Sequence, residues 1–562
     1  MVVVGEGTIA KRRSYAVLVS HLSPRMTEAG LSDELRRLRD LIDEYREASV
    51  IDQSRAGTVL KSIEGIAGKY GLEVKDLDAL YDELMRMERS AMPYGLRILG
   101  MELSDDEVID YLTLALRRDR GGFVKSLHRL MAEAMGGYDY DDLLEHPGKH
   151  VNILRSIDEG VRRIVRALII NGIDSAIKVA GGEYGIKGDD AKTVLNYARD
   201  VAERLRLSPK LELENVIRAL NGEYIPAGVG GDYVLDPPDV LPTGRNFYAL
   251  DPLKIPSDSA LELGAKIAEE SIKRYLEQYG KYPETVGIVV WGGGQESRTR
   301  GGVSIGQVLR YLGVRLVHRP GSWDPRLEVM PLKDLGRPRI DVVVTMSGVF
   351  RDMFPHLISL INKAVKLVAE LDEPASMNYV RKHYLELRDR YGEKSLIRTF
   401  SERPGDYGNK VNHLIETSRW RAGMDIASVY TMYMGFGYDG DMRGAGSSEL
   451  KDLFKALLSR VDITSQVQSS VDYSIIDIDD YYAYLGGLSK SVEVYSGKRP
   501  LVLYTDLTQD RPRMMNVRDA VGFYVRTRLL NPKWIEGMRR HGYMAPRTFR
   551  SVLSMSSAWP RL

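Results

Sequence analysis

The chain has 562 residues, length for three or four domain-sized units with a large core. Lys+Arg 79 against Asp+Glu 78 leaves a formal charge of +1, which excludes a global field drawing the chain to nucleic acid or to an anionic membrane. The absence of cysteine excludes disulfides, thiolate metal sites and a cysteine nucleophile, and no run of 18 apolar residues offers a membrane span, so the composition fits a cytoplasmic protein.

The chain opens on Gly5-Glu6-Gly7-Thr8-Ile9-Ala10-Lys11-Arg12-Arg13, and the apolar run Tyr15 to Leu22 predicts a buried strand. A carboxylate between two glycines and near fixed cations stays ionised, as a proton acceptor or metal ligand should. After Ser23-Pro24, apolar spacing predicts an amphipathic helix over 27–49, with Leu31, Leu35, Leu38, Leu41, Ile42 and Tyr45 on one face. Further helices are predicted over 54–69, 76–90, 104–119, 121–135, 149–181, 189–207 and 211–220. From Asn221 to Pro256 the composition turns rich in Gly and Pro but keeps Tyr224, Tyr233, Phe247 and Tyr248, which predicts an ordered, irregular connection.

From 257 the pattern alternates. A helix over 257–279 precedes a strand at Val286–Trp291, and a helix near 304–312 precedes a strand at Val314–His318. The strand Ile340–Thr345 is followed by helices over 350–371 and 376–390. Helices near 422–433 and 448–460, a strand at Leu501–Tyr504 and helices over 516–529 and 532–540 complete the reading. The expected fold class is mixed, multidomain α/β: a helix-rich N-terminal region, a parallel-sheet α/β region and a C-terminal helical segment. The expected divisions are an active-site strand segment at 1–22, a helical region at 23–220, the connection at 221–256, the α/β region at 257–505 and the helical end at 506–562.

The turn Gly292–Gly294 is not a phosphate loop, and GxxxxGK[ST] occurs nowhere, so any ATP hydrolysis belongs to another subunit. The nine histidines form no HExxH and no close pair on a helix face, which argues against a tight zinc site and leaves room for an exchangeable, oxygen-ligated metal. Pro242–Phe247, Ser347–Asp352, Pro404–Gly408 and Asp477–Tyr482 mix charge with special backbone residues; each alone reads as a helix cap or surface turn.

Together these stretches resemble the large, porphyrin- or corrinoid-binding subunit of the ATP-dependent cobaltochelatases and magnesium chelatases. The resemblance covers nearly the whole chain. It rests on Gly5 to Arg13, Met92-Pro93-Tyr94-Gly95-Leu96, Leu241-Pro242-Thr243-Gly244-Arg245-Asn246, Gly336 to Val344, Ser347-Gly348-Val349-Phe350-Arg351-Asp352, Met377 to His383 and Asn531-Pro532-Lys533-Trp534.

The resemblance implies insertion of a divalent metal, Co2+ or Mg2+, into a tetrapyrrole. It also implies a AAA+ ATPase subunit and a linking subunit as partners, with ATP used by the ATPase. Cobalt insertion in cobalamin biosynthesis is the main expectation. Magnesium insertion into protoporphyrin IX and a non-catalytic tetrapyrrole-binding scaffold are the alternatives. The family's Glu-Gly-Thr glutamate, placed in its active-site cavity, is Glu6 here. Two pyrrole N–H protons leave as metal enters, so the cavity needs a base such as a carboxylate. Carried over, Glu6 is the catalytic base and a metal ligand. Lys11, Arg12, Arg13, Arg245, Asn246, Arg351 and Tyr407 bind substrate, whose carboxylates Arg grips bidentately. Asp352, His383, Asp472 and Asp477 are further candidates for metal delivery.

The sequence departs from the family in three places. The family's His-Gly-Thr-His-Gly segment is missing, Arg97 stands where histidine is usual, and Met544-Ala545-Pro546 replaces Lys-Gly-Ala. The expectation is the C-terminal part of a split or truncated subunit, working with a separate N-terminal half.

Overall fold

The structure, a computed structural model, describes residues 16–120, 124–232, 234–235, 238–248, 255–292, 301–317, 326–439 and 447–561. In chain order its strands are β1 (Met26–Glu28), β2 (Ala91–Pro93), β3 (Ala227–Val229), β4 (Asn246–Tyr248), β5 (Thr285–Val290), β6 (Val314–Val317), β7 (Arg326–Val329), β8 (Asp341–Met346), β9 (Thr399–Ser401), β10 (Phe436–Tyr438), β11 (Ser447–Glu449), β12 (Ile463–Gln468), β13 (Leu501–Asp506) and β14 (Arg513–Asn516). Eight of them form one sheet in the order β11-β10-β9-β8-β5-β12-β13-β14. β9, β8, β5, β12 and β13 run parallel, while β10, β11 and β14 pair antiparallel at the flanks.

Both faces of the sheet are covered, as a parallel sheet requires. One face packs Ile288, Val290, Val342, Val344, Ile463 and Val467 against the helices Asp258–Tyr279, Val303–Leu312 and Pro355–Ala369. The other packs Val289, Val343, Phe400 and Tyr504 against a larger cluster that includes the helices Asp33–Ile51, Leu77–Arg89 and Gly423–Met434. A third cluster fills the helical region and takes in Val471 from the loop after β12. The chain is thus mixed α/β, with the helical region packed on the sheet's loops.

Several elements differ from the sequence reading for identifiable reasons. Of the predicted strand Tyr15–Leu22, the described part, Ala16–Leu22, is not a buried strand: Val17 is 51% exposed, and the segment lies along residues 244–247. There Ser20 N donates to Arg245 O (2.9 Å), Gly244 N to Ser20 O (2.7 Å) and Phe247 N to Leu18 O (2.8 Å), with one antiparallel bridge between Val19 and Asn246. The first helix starts at Asp33, capped by Ser32, because Met26–Glu28 is taken up by pairing with Ala91–Pro93. The segments 189–207 and 211–220 are one helix, Asp189–Leu220, carrying Pro209 inside it. The missing N–H at Pro209 is tolerated beside Ser208, whose Oγ donates to Arg204 O and accepts from Thr243 N. Residues 149–181 divide at Gly172, where φ is 85° and L side chains are disfavoured. β12 went unread because Ile-Thr-Ser-Gln-Val-Gln has no apolar alternation, yet all six residues are buried.

Candidate functional site

The sheet order defines one place where a ligand is expected. From β5 the chain moves outward through β8, β9, β10 and β11, then returns to the other side of β5 with β12 and continues to β13 and β14. The point between β5 and β12, where the strand order reverses, is where a parallel sheet is expected to form its ligand crevice. Trp291 and Gly292 follow β5, and Ser469 to Asp472 follow β12. The β5 and β8 ends are tied by Ser347, whose N donates to Val290 O (3.0 Å) and whose Oγ accepts from Gly292 N (3.3 Å) and Phe350 N (3.2 Å). A Cβ at Gly292 would lie 2.4 Å from Phe350 N, so this close passage requires glycine. Trp291 meets Tyr484 edge-on with ring centroids 4.5 Å apart, and its buried Nε1 has no hydrogen-bond partner among the described residues.

Beyond β8 and β9 the structure brings three predicted residues together. Arg351 Nε donates to Asp352 Oδ1 (2.8 Å), and Tyr407 Oη donates to Asp352 Oδ2 (2.5 Å). Arg351 Nη1 reaches the carbonyls of Glu402 (3.1 Å), Arg403 (3.0 Å) and Asp406 (3.2 Å), so the side chain braces the loop that carries Tyr407. Its guanidinium also lies over the Tyr407 ring, and its buried Nη2 lacks a partner among the described residues. Burial opposes this charge, but Asp352 and its neighbours hold the Arg351 pKa above the ordinary value.

Asp472 is a different kind of carboxyl. Ser23 Oγ donates to its Oδ2 (2.8 Å), linking the loop after β12 to the opening segment, while its buried Oδ1 has no hydrogen-bond partner among the described residues. Burial, reinforced by the Asp232 charge, pushes its pKa up to about 7. Asp232 itself accepts from Val471 N (3.0 Å) and Val234 N (2.9 Å). The opening segment that touches Asp472 through Ser23 is the one paired at Ser20 and Val19 with Arg245 and Asn246. Arg245 Nη2 donates to Asp239 O (2.6 Å). Asp477 holds Ser474 N (2.6 Å) and forms an ion pair with the buried Arg528, which leaves it a bracing role in the same loop.

His383 is not part of this group. Its Nδ1 faces Asp341 Oδ2 at 2.9 Å and its Nε2 faces Glu284 Oε2 at 3.2 Å. Asp341 begins β8 and Glu284 immediately precedes β5, so His383 sits at the amino edge of the sheet, opposite the crevice. Burial disfavours its charge, but the two carboxylates outweigh that and raise its pKa. Glu6, Lys11, Arg12 and Arg13 lie outside the described residues.

Two carboxyls at the crevice were missed as site residues. Glu402, directly after β9, is fully buried; its Oε1 accepts from Gly408 N (3.1 Å) and from Tyr484, and its Oε2 from Ser401 Oγ (2.7 Å). Burial raises its pKa. Asp480 is pushed up to about 7 by burial and then by the charges of Asp479 and Glu402. A carboxylate immediately after a short strand was the available signal for Glu402, but Arg-Thr-Phe-Ser is too brief to stand out as a strand. No group of three or more His, Asp or Glu poised to hold a metal occurs among the described residues.

The fold is a mixed α/β one with its candidate site at the carboxyl ends of the central strands, and comparison with known proteins gives its family. A family model described as CobN/Magnesium Chelatase matches residues 1–561. The chain belongs to this family. It is 32% identical to magnesium-chelatase subunit ChlH of Oryza sativa subsp. indica, over 99% of this chain and 43% of the relative. It is 31% identical to aerobic cobaltochelatase subunit CobN of Sinorhizobium sp, over 96% of this chain and 46% of the relative. Among solved structures, the catalytic subunit of cobaltochelatase from Mycobacterium tuberculosis superposes with a TM-score of 0.87 at 33% identity, covering 99% of this chain and 48% of that one. The chain spans less than half the length of these relatives.

Proposed function

We propose that this chain supplies the metal-insertion wall of a chelatase large subunit, taking up a tetrapyrrole at the switch-point crevice and exchanging two pyrrole protons for one divalent metal ion. Asp472 carries the reading. It is held by burial at a raised pKa of about 7, has one oxygen without a hydrogen-bond partner among the described residues, and accepts from Ser23 in the segment that follows Glu6 in the sequence. A carboxyl of that pKa accepts a proton in one step and releases it in the next. Glu6 is the second proton acceptor and the metal-relay carboxylate. Lys11, Arg12, Arg13, Arg245 and Arg351 hold substrate carboxylates, with Asn246 and Tyr407 as neutral hydrogen-bonding groups. Asp352 and Asp477 stand as alternative metal-delivery groups; the site of His383 at the far edge weighs against that role for it. The indole of Trp291 offers a flat apolar wall to a planar ring.

The substrate metal in this reading is Co2+ and the tetrapyrrole a corrinoid or porphyrin precursor. The energy comes from ATP hydrolysed by a AAA+ partner joined through a linking subunit, in the cytoplasm, with the remaining part of the large subunit present. Relatives of both metal types stand at near-equal identity, so the test offers both metals. Metallation is followed by absorbance in the assembled system with Co2+ or Mg2+. Loss of insertion in Asp472→Asn and in Glu6→Gln, with tetrapyrrole binding retained, supports the assignment. Unchanged insertion in both variants would sink it, and tetrapyrrole binding without insertion of either metal by the parent chain would mark a scaffold.

A further inference from the structure

The sheet ends at β14, and no described strand pairs with its outer edge. That edge faces a cleft of about 1830 Å³, lined along this side by Arg86, Arg511, Arg513, Arg518 and Arg526. Glu83 alone serves two of them: it forms an ion pair with Arg513, and its Oε1 lies 3.7 Å from Arg526 Nη2. Arg511 and Arg86 donate to backbone carbonyls, at Asp141 O (3.1 Å) and Glu145 O (3.0 Å), and each also lies 3.8 Å from a carboxylate, Glu145 and Asp82 respectively. Arg513 Nη1 and Arg526 Nε are buried without a hydrogen-bond partner among the described residues, and the Arg526 side chain is only 9% exposed. Burial, followed by the Arg513 charge, holds Arg86 below its usual pKa against the opposing pull of Asp82 and Glu83. Three other acids of the cleft are already engaged, Glu270 with Arg274 (2.7 Å), Glu493 with Lys490 (2.9 Å) and Glu73 with Lys75 (2.9 Å), while Asp519 is a further counter-charge for Arg526.

An open strand edge offers main-chain hydrogen bonds, and a local arginine surplus offers charge; together they suit one kind of ligand. We propose that the β14 edge docks an extended, acidic segment of a partner polypeptide, which adds a ninth strand to the sheet while its alternate carboxylates neutralise the arginines. Alternation matters because side chains on one face of an added strand recur every second residue. This surface does not depend on the chemistry assigned to the crevice.

The test uses the whole chain and a fluorescein-labelled octapeptide of alternating Glu and Val, with a Gln/Val octapeptide and inorganic phosphate as comparisons. Anisotropy is expected to show saturable binding of the acidic peptide, weakened about tenfold or more by the double variant Arg511→Glu/Arg518→Glu. Both residues are exposed, so folding is retained, and an unchanged urea midpoint checks this. Amide hydrogen exchange at Met514–Asn516 is expected to slow on binding. Equal binding of the Gln/Val peptide, or no effect of the double variant, would overturn the proposal. So would phosphate displacing the peptide while exchange at Met514–Asn516 stays unaltered, which would reduce the surface to a simple anion site.

Discussion

The two edges of the central sheet bury ionisable groups in opposite ways. At the amino edge several charges have a close opposite. Asp341 meets Arg398 Nε (2.9 Å) and His383, Glu284 meets Lys382 (2.7 Å), and Arg339 meets Glu373 (2.7 Å). Burial opposes ionisation of Asp341, yet Arg398 and His383 hold its pKa down at about 2; His383 and Lys382 hold Glu284 at about 2. At the carboxyl edge, Glu402, Asp472 and Asp480 are enclosed with few cations and pushed upward. Paired buried charge holds the strand ends in register. Underpaired carboxyls cost stability and are retained where protons must move.

The contrast can be broken first at its structural side. Asp341→Ala leaves Arg398 and His383 buried without their shared carboxylate, and urea denaturation is expected to show a loss of about 3–5 kcal/mol. Asp472→Asn is expected to lower metallation about 100-fold or more in the assembled system while the urea midpoint stays level or rises, because a neutral amide replaces an enclosed acid. Trp291→Leu removes the edge contact with Tyr484; stability is expected to fall by about 1 kcal/mol, and quenching of tryptophan emission by tetrapyrrole to shrink.

A pH series separates the edges as well. Asp472 and Asp480 keep protons in the native state that the unfolded chain releases near 3.8, so their contribution falls as pH rises from there to about 7. The Asp341 contribution has the other sign: it is present above 3.8 and lost as pH falls towards 2. Stability measured across pH 4 to 8 is expected to lose part of its downward slope in Asp472→Asn/Asp480→Asn and to keep it in Lys382→Met.

Helices of the N-terminal region and the strands around Val286 and Val342 were legible because their apolar periods are long, although the cap at Ser32 that starts the first helix went unread. β12 was not, since a strand buried on both faces and rich in Thr, Ser and Gln carries no period. In the site, Arg351, Asp352 and Tyr407 were named from motifs and do meet in space. His383 was misplaced among them because a motif gives residue type and order, whereas the edge on which a side chain lands depends on which end of a strand its helix crosses. The raised carboxyls of Asp472 and Asp480 depend on enclosure by segments distant in sequence, which no local pattern encodes.

The hydrogen bond from Ser23 to Asp472 joins residues 449 positions apart. During synthesis the opening segment leaves the ribosome long before its acceptor exists, and closing so long a loop carries a large entropic cost. The enclosure that tunes Asp472 is therefore among the last contacts a growing chain can make. Proton-accepting capacity at this position arrives with completion of the fold, so a partly made chain carries an ordinary solvent-exposed aspartate there.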